Sequence, residues 1–170
     1  MRRVIHLILV MSLAGWLPLG FAATVDERDM KAALIYNFAV YTSWPESTQH
    51  FFNICLVESD QESVNEGMLK SKTLNGKVVH VKHLRDIDDV KTCQILFMEE
   101  VSGKEDKRLL QLIKKHAVLF VHNGHQYIDS SMIRIELVDK RYHFSINHQV
   151  AKDANLTLSS KLLRLATRVN

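Results

Sequence analysis

Cysteine is scarce in this chain, since only Cys55 and Cys93 occur among its 170 residues. Because no cysteine precedes Cys55, the N-terminal segment is not a bacterial lipoprotein leader. An even number of cysteines in an exported protein usually forms a structural bridge. The sequence therefore predicts a disulfide between them, with a pair of buried free thiols as the alternative.

The chain also lacks the short motifs that mark common active sites. It contains no glycine-rich phosphate loop, no GxSxG elbow and no HExxH motif. Serine, aspartate and histidine lie close together in the stretch HQYIDSS at 125–131, but proximity in sequence does not make a catalytic triad. The sequence therefore offers no convincing active site, and a hydrolase that uses His125 or Glu99 is a secondary hypothesis.

Metal-ligand spacing is poor as well, although histidine is common. His80 and His83 are three residues apart in an apparent strand and so point to opposite faces of a sheet. His122 and His125 supply only two ligands, whereas zinc sites use three or four. We expect neither a metal nor a cofactor.

The first residues have the pattern of a secretory signal peptide. Two arginines precede a short apolar run, Val4–Leu13, and small residues follow it. The run is shorter than the roughly 20 apolar residues that a spanning helix needs, although an uncleaved anchor is the alternative. We predict a signal peptide over residues 1–22, cleavage after Ala22 or Ala23, and an exported mature chain, residues 24–170, that forms one domain.

Charge of either sign is not in excess once the leader is removed. The net charge of +3 loses two arginines and becomes +1, from 20 basic and 19 acidic residues. A nearly neutral protein has no electrostatic footprint for nucleic acid, so nucleic acid is not an expected partner.

The segment MKAALIYNFAVYTSWP, residues 30–45, predicts an amphipathic helix that ends at Trp-Pro. Its expected packing face comprises Met30, Ala33, Leu34, Asn37, Tyr41 and Trp44, with Phe38 and Val40 at its edges. A buried carboxamide needs hydrogen-bond partners, so we expect Asn37 to tie the helix to a neighbouring segment. Trp44 would either cap the core or face a partner.

Four short apolar runs then predict buried strands, at 53–57, 78–81, 94–98 and 118–121. An amphipathic helix pattern at 104–117 separates the third run from the fourth. This alternation of strands and helices indicates a single three-layer α/β domain with a mixed central sheet flanked by helices. The first four strands are expected to be largely parallel, followed by a C-terminal β-hairpin.

The hairpin register follows from strict alternation of apolar residues on either side of Asp139-Lys140. The expected pairs are Leu137 with Tyr142, Ile135 with Phe144, Ile133 with Ile146, and Glu136 with His143. A looser four-residue turn with the same register is the alternative, because Asp-Lys is a poor sequence for a tight turn. A last helix, capped by Ser159 or Ser160, is expected to run to Val169.

Polar residues follow the predicted parallel strands at the edge where α/β domains gather ligands. They comprise Glu58-Ser-Asp60, Glu99-Glu100 and His122-Asn-Gly124, followed by His125. They predict a ligand rim for a small cationic or amphoteric molecule, with ordinary solvated turns as the alternative. A periplasmic small-ligand binding or sensor protein is therefore one hypothesis for function.

Several stretches together resemble the YfiR family of exported bacterial proteins, over about residues 27–169. The most specific of them are Asn37-Phe38, Trp44-Pro45, the segment FSIN at 144–147 and SSKLL at 159–163. The resemblance implies that Asn37, Phe38, Trp44, Pro45, Phe144 and Asn147 form a partner-binding or structural signature. It also implies that Cys55 and Cys93 carry the family disulfide, while cysteines for a second bridge found in some relatives are missing.

The function implied by the resemblance is repression by protein contact. Such a protein binds the periplasmic sensor region of an inner-membrane diguanylate cyclase and holds it inactive, which lowers cyclic-di-GMP and restrains biofilm formation. An outer-membrane lipoprotein relieves the repression by sequestering the repressor, and a homodimer is a further expected partner state. The leading hypothesis is thus a non-enzymatic periplasmic regulator.

Overall fold

The structure is a computed structural model, and it describes residues 26–46, 49–60, 62–99, 107–124 and 130–170. The predicted signal peptide and His125 lie outside the described residues. Within these ranges, none of the helices combines the length and apolar character that crossing a membrane requires.

The described chain contains five α-helices, ten strands and two short 3-10 helices. The α-helices are α1 (Glu27–Val40), α2 (Glu66–Lys70), α3 (Lys107–Lys115), α4 (His148–Asp153) and α5 (Ser160–Leu165). The strands are β1 (Thr42–Ser43), β2 (Phe51–Val57), β3 (Thr73–Leu74), β4 (Lys77–Leu84), β5 (Ile95–Met98), β6 (Leu119–Asn123), β7 (Ile133–Val138), β8 (Arg141–Ile146), β9 (Thr157–Leu158) and β10 (Arg168–Val169). The 3-10 helices are Glu58–Asp60 and Ile87–Thr92.

Eight of these strands form one sheet in the order β10-β8-β7-β6-β5-β2-β4-β3, and β1 pairs with β9 beside it. Strands β4, β2, β5, β6 and β7 are mutually parallel. Strand β3 runs antiparallel to β4 and β8 antiparallel to β7, whereas β10 is parallel to β8. The connection from β2 to β4 adds a strand on one side of β2, whereas the connection from β5 to β6 adds a strand toward the opposite edge of the sheet. Right-handed crossovers in opposite directions place helices on opposite faces. The predicted mixed, largely parallel three-layer fold is confirmed.

The C-terminal hairpin has the predicted register. Ile133 pairs with Ile146, Ile135 with Phe144, and Glu136 with His143. Asp139 and Lys140 close it as a two-residue turn, with φ of 49° and 61°. The register follows the buried isoleucines rather than the turn sequence, because a one-residue slip would expose all of them.

The predicted disulfide joins Cys55 in β2 to Cys93, just before β5, with a Cα–Cα distance of 5.8 Å. Both cysteines are buried. Their separation of 38 residues corresponds to about 4 kcal/mol of stabilisation in the chain-entropy model. The disulfide therefore holds the segment just before β5 against strand β2.

The predicted packing face of the first helix is wrong. The residues of α1 that are buried are Lys31, Ala32, Ile35, Phe38 and Ala39. Asn37 lies on the exposed side, so it does not tie the helix to another segment through a buried carboxamide. Apolar residues occur almost all round this helix, so periodicity does not single out one face. Because Lys31 is charged, the face that contains it was not predicted to be buried.

The last helix is also shorter than predicted. Ser159 caps α5 by accepting a hydrogen bond from the N–H of Leu162 at 3.3 Å. The helix ends at Leu165, which is 66% exposed, and Arg168–Val169 forms strand β10 instead of a helical turn. Backbone groups of Arg168 and Val169 are satisfied by pairing with β8. The spacing of apolar residues does not reveal this pairing.

Candidate functional site

Two regions at opposite ends of the parallel strands contain the predicted site residues and their neighbours. The first, the carboxyl-end cluster, consists of Lys31, Asp60, Glu99 and Asn123. Asp60 follows β2, Glu99 follows β5, and Asn123 ends β6. The strands after β2 are added on one side of it as far as β4, and from β5 onward they are added on its other side. Doubly wound folds commonly bind ligands at such a switch point between neighbouring strands.

Hydrogen bonds and an ion pair connect every member of the carboxyl-end cluster. The Nζ of Lys31 forms an ion pair with Oε1 of Glu99. The Nδ2 of Asn123 donates to the same oxygen at 2.9 Å. The backbone N–H of Glu99 donates to Oδ2 of Asp60 at 2.8 Å. Helix α1 is thereby joined to the ends of three strands.

Burial dominates the electrostatics of this cluster. Lys31 is 6% and Asp60 5% exposed, and burial raises the pKa of the Asp60 carboxyl despite the hydrogen bond from Glu99. Burial, and then the nearby Glu27 carboxylate, raises the pKa of Tyr142 to about 12. Since Lys31 neutralises Glu99, the cluster is an internally compensated network rather than an open acidic rim.

The structure brings together only part of the predicted ligand rim. Glu99 lies in the carboxyl-end cluster, but Glu58 is exposed and forms an ion pair with Arg85 at 3.8 Å. His122 is 1% exposed and points to the opposite face of β6 from Asn123 because neighbouring residues of a strand alternate. His125 lies outside the described residues. Ligand binding by these residues stays a prediction.

Sequence analysis placed Asp60 and Glu99 at the same edge of the sheet but missed Lys31 and its ion pair with Glu99. One signal was present, because Lys31 precedes apolar residues at the spacing of a buried helical face, at Ile35, Phe38 and Ala39. A lysine within such a face requires a carboxylate partner. Which of the 19 acidic residues supplies it depends on the tertiary fold.

The second region, the amino-end groove, lies where β2 and β4 begin. It encloses about 200 Å³ and is lined by Trp44, Pro45, Glu46, Phe51, Phe52, Leu74, Asn75, Lys77 and Gln94. The half-buried Trp44 indole donates from Nε1 to the carbonyl of Gln94 at 3.1 Å. Its ring meets Phe52 edge to face, with centroids 5.1 Å apart. Trp44 thus caps the core while forming a wall of an open groove.

Exposed apolar surface continues from this groove onto one face of the sheet. Phe51 and its cross-strand neighbour Val78 are 45% and 46% exposed. The Phe51 ring stacks on His80 with centroids 3.8 Å apart, and Lys82 follows on the same face two residues later. Adjacent exposed apolar side chains of this kind mark contact surfaces more often than isolated ones do.

The other signature residues divide between core and surface. Phe38 packs edge to face against Phe144 with centroids 5.1 Å apart, so both hold α1 on the sheet. Asn147 caps α4 by accepting from the N–H of Val150 at 3.2 Å. Asn37 and Pro45 are exposed. Packing and capping therefore account for Phe38, Phe144 and Asn147.

No group of three histidine, cysteine, aspartate or glutamate side chains in the described part of the chain is arranged to hold a metal ion.

The fold and these two regions define a doubly wound α/β domain with an exposed aromatic groove. Residues 28–167 match the profile of a family described as YfiR/HmsC-like. The chain belongs to this family, which is regulatory, periplasmic and connected with diguanylate cyclases. No curated protein matches the sequence significantly.

Among solved structures, the chain is similar to the ABC domain in complex with L-Trp from Streptococcus pneumonia. The identity is 9% and the TM-score 0.45, and the likeness covers 72% of this chain. It covers 56% of that structure's chain. This likeness carries no argument about function.

Proposed function

We propose that this protein represses an inner-membrane diguanylate cyclase by binding the cyclase's periplasmic sensor region. The observation that carries the proposal is the family match over residues 28–167. A single-domain regulator without chemistry of its own has to act by contact, and the surface best suited to contact is the apolar one around the amino-end groove.

Repression by contact has a thermodynamic requirement. The protein must bind the inactive state of the cyclase more tightly than the active state, and each tenfold difference in affinity supplies about 1.4 kcal/mol of bias. Aromatic side chains are common anchors for such affinity. Trp44 and Phe51 contribute aromatic surface to the amino-end groove, which supports this region as the contact.

Release of the repressed cyclase belongs to the same proposal. An outer-membrane lipoprotein that competes for the protein would lower the free repressor concentration and thereby restore cyclic-di-GMP synthesis. A homodimer would present two copies of the contact surface.

The small-ligand hypothesis finds less support. Its predicted rim depended on an acidic Glu99, and the structure pairs that carboxylate with Lys31 and Asn123. A ligand would have to displace an existing network, at a cost comparable to breaking a buried ion pair.

The proposal is tested by deleting the gene and measuring cyclic-di-GMP and biofilm mass. Both should rise, and expression of the full chain from a plasmid should reverse the rise. A form lacking residues 1–22 should fail to complement, because it would remain on the wrong side of the membrane. The same deletion in a strain without the cyclase is the control and should have no effect. Unchanged cyclic-di-GMP in the first strain, with the cyclase expressed, would reject repression.

A further inference from the structure

Strand β4 has one fully paired side and one mostly open side. It pairs with β2 from Val78 to Leu84. On its outer side β3 pairs only with Lys77 and Val78. Within the residues that the structure describes, no strand lies beside the outer side of β4 after this point. The outer edge of β4 after Val79, residues 80–84, is therefore an unfinished sheet edge.

The direction of the backbone groups along this edge follows from one hydrogen bond. The N–H of Val79 donates outward to the carbonyl of Lys72 at 3.1 Å. Because backbone direction alternates along a strand, the N–H and C=O of Val81 and His83 also point outward. Neither residue's outward backbone groups bond to any part of the chain from 26 to 170 that is described. Unpaired groups of this kind are a template for another strand.

The side chains leave one face beside this edge open. Val79 is buried on the face that α2 covers, where Glu66 of α2 bonds to His83. Val78, His80 and Lys82 are exposed and share the opposite face with Phe51, which continues into the amino-end groove. Alternate side chains of an added strand would lie over this exposed face.

Charge indicates what kind of strand fits. His80, Lys82 and His83 lie within β4, and Oε1 of Glu66 lies 3.0 Å from Nε2 of His83. The Nζ of Lys82 bonds to the hydroxyl of Thr92 at 3.0 Å. A second copy paired antiparallel along this edge would set cationic side chains opposite one another, which is destabilising. An acidic strand would be complementary.

We propose that the outer edge of β4 binds an extended acidic segment of the partner cyclase's periplasmic domain by strand addition. This inference rests on the proposed function and names the surface and the binding mode. Residues 80–84 span about 17 Å at the usual rise of a strand, enough for a segment of about five residues. Main-chain hydrogen bonds to Val81 and His83 would supply affinity, and acidic side chains near His80 and Lys82 would supply specificity.

The test uses the mature protein and the purified periplasmic domain of the cyclase through which the deletion acts. Amide hydrogen exchange is followed residue by residue, with and without that domain. The amides of Val81 and His83 should slow about tenfold or more, equivalent to about 1.4 kcal/mol of added protection. Exchange at Leu137 and Val138, exposed residues of another strand, should not change.

The outcomes separate this inference from the proposed function. A complex that leaves the Val81 and His83 amides unprotected would reject strand addition and keep repression by contact. The absence of any complex would reject both. Protection that appears when the concentration of this protein is raised alone would identify a second copy as the occupant and overturn the proposal.

Two variants test the same edge through different groups. Lys82→Glu should weaken binding about tenfold, whereas Lys161→Glu, an equally exposed lysine on α5, should leave binding unchanged. Val81→Pro removes an outward N–H without removing a bond to β2 and should abolish binding. Circular dichroism and the unfolding temperature check that each variant folds. Equal binding by wild type and Lys82→Glu would contradict the acidic segment even if Val81→Pro does not fold.

Discussion

The two ends of the parallel sheet use their side chains in opposite ways. At the carboxyl end, Lys31, Asp60 and Glu99 are bonded to one another or to nearby backbone groups. At the amino end, Phe51 and Val78 remain about half exposed beside an open groove. Doubly wound domains more often place their ligand at the carboxyl end. Here that end is occupied by an internal network, whereas exposed apolar surface lies at the other end.

This difference separates stability from recognition. Substitution in a buried, compensated network leaves a charge without its partner and raises the free energy of the folded state. Substitution on an exposed apolar surface changes the folded state little, but removes area that a partner would bury. If the two ends differ in this way, substitutions at the carboxyl end should mainly lower stability, and substitutions at the amino end should mainly weaken binding.

Lys31→Met should lower the free energy of unfolding by about 3 kcal/mol, because it leaves Glu99 partly buried without its cation. Urea unfolding at neutral pH measures the change. The matched control is Lys161→Met, an exposed lysine, which should change stability by less than about 0.5 kcal/mol. Combining Lys31→Met with Glu99→Gln should recover part of the loss, since the unpaired charge is then gone. Equal effects of the two single lysine variants would show that the pair is not structural.

Much of the sheet was predictable because local patterns specify it. The four apolar runs correspond to β2, β4, β5 and β6, each too short and too β-branched for a helix. The register of the C-terminal hairpin followed from alternation alone, since only one register buries Ile133, Ile135 and Ile146 together. The disulfide followed from the cysteine count and the signal peptide pattern.

The carboxyl-end cluster was not predictable to the same extent, because its contacts are distant in sequence. Lys31 and Glu99 are 68 residues apart, and no local pattern selects one carboxylate over another. The packing face of α1 was misassigned for a related reason. A lysine counts as polar in a periodicity argument, although a paired lysine can lie on a buried face. Strand β10 depends on pairing with β8, which local periodicity likewise does not encode.

Tyr142 offers a smaller, pH-dependent test of the carboxyl end. Burial and the Glu27 carboxylate raise its pKa to about 12, and its hydroxyl lies 3.4 Å from Oε2 of Glu27. A folded pKa above the ordinary value of 10 means that the stabilisation is present below pH 10 and is lost as pH rises toward 12. Solvent screening keeps the effect modest, because Tyr142 is only half-buried.

Ultraviolet absorbance of tyrosinate measures this titration. Glu27→Gln should lower the pKa of Tyr142 while leaving it above the ordinary value, since burial is the larger cause. Titration of all tyrosines together near pH 10, in protein that is still folded, would contradict the burial of Tyr142 beside Glu27.

The smallest effect on folding is expected at Phe51, which has a matched control in the next residue. Phe51 is 45% exposed and Phe52 6% exposed, on opposite faces of β2. Phe51→Ala should cost about 1 kcal/mol of stability or less, whereas Phe52→Ala should cost about 3 to 5 kcal/mol because it leaves a cavity.

Binding of the two folded variants to the cyclase domain should show the reverse order of effects. Phe51→Ala removes an aromatic side chain that the partner would bury, and we expect a loss of affinity of about tenfold. Calorimetric titration of both folded variants measures this. If Phe51→Ala binds as tightly as wild type while Phe52→Ala does not, the exposed face of β2 is not the contact surface and the amino end of the sheet is structural after all.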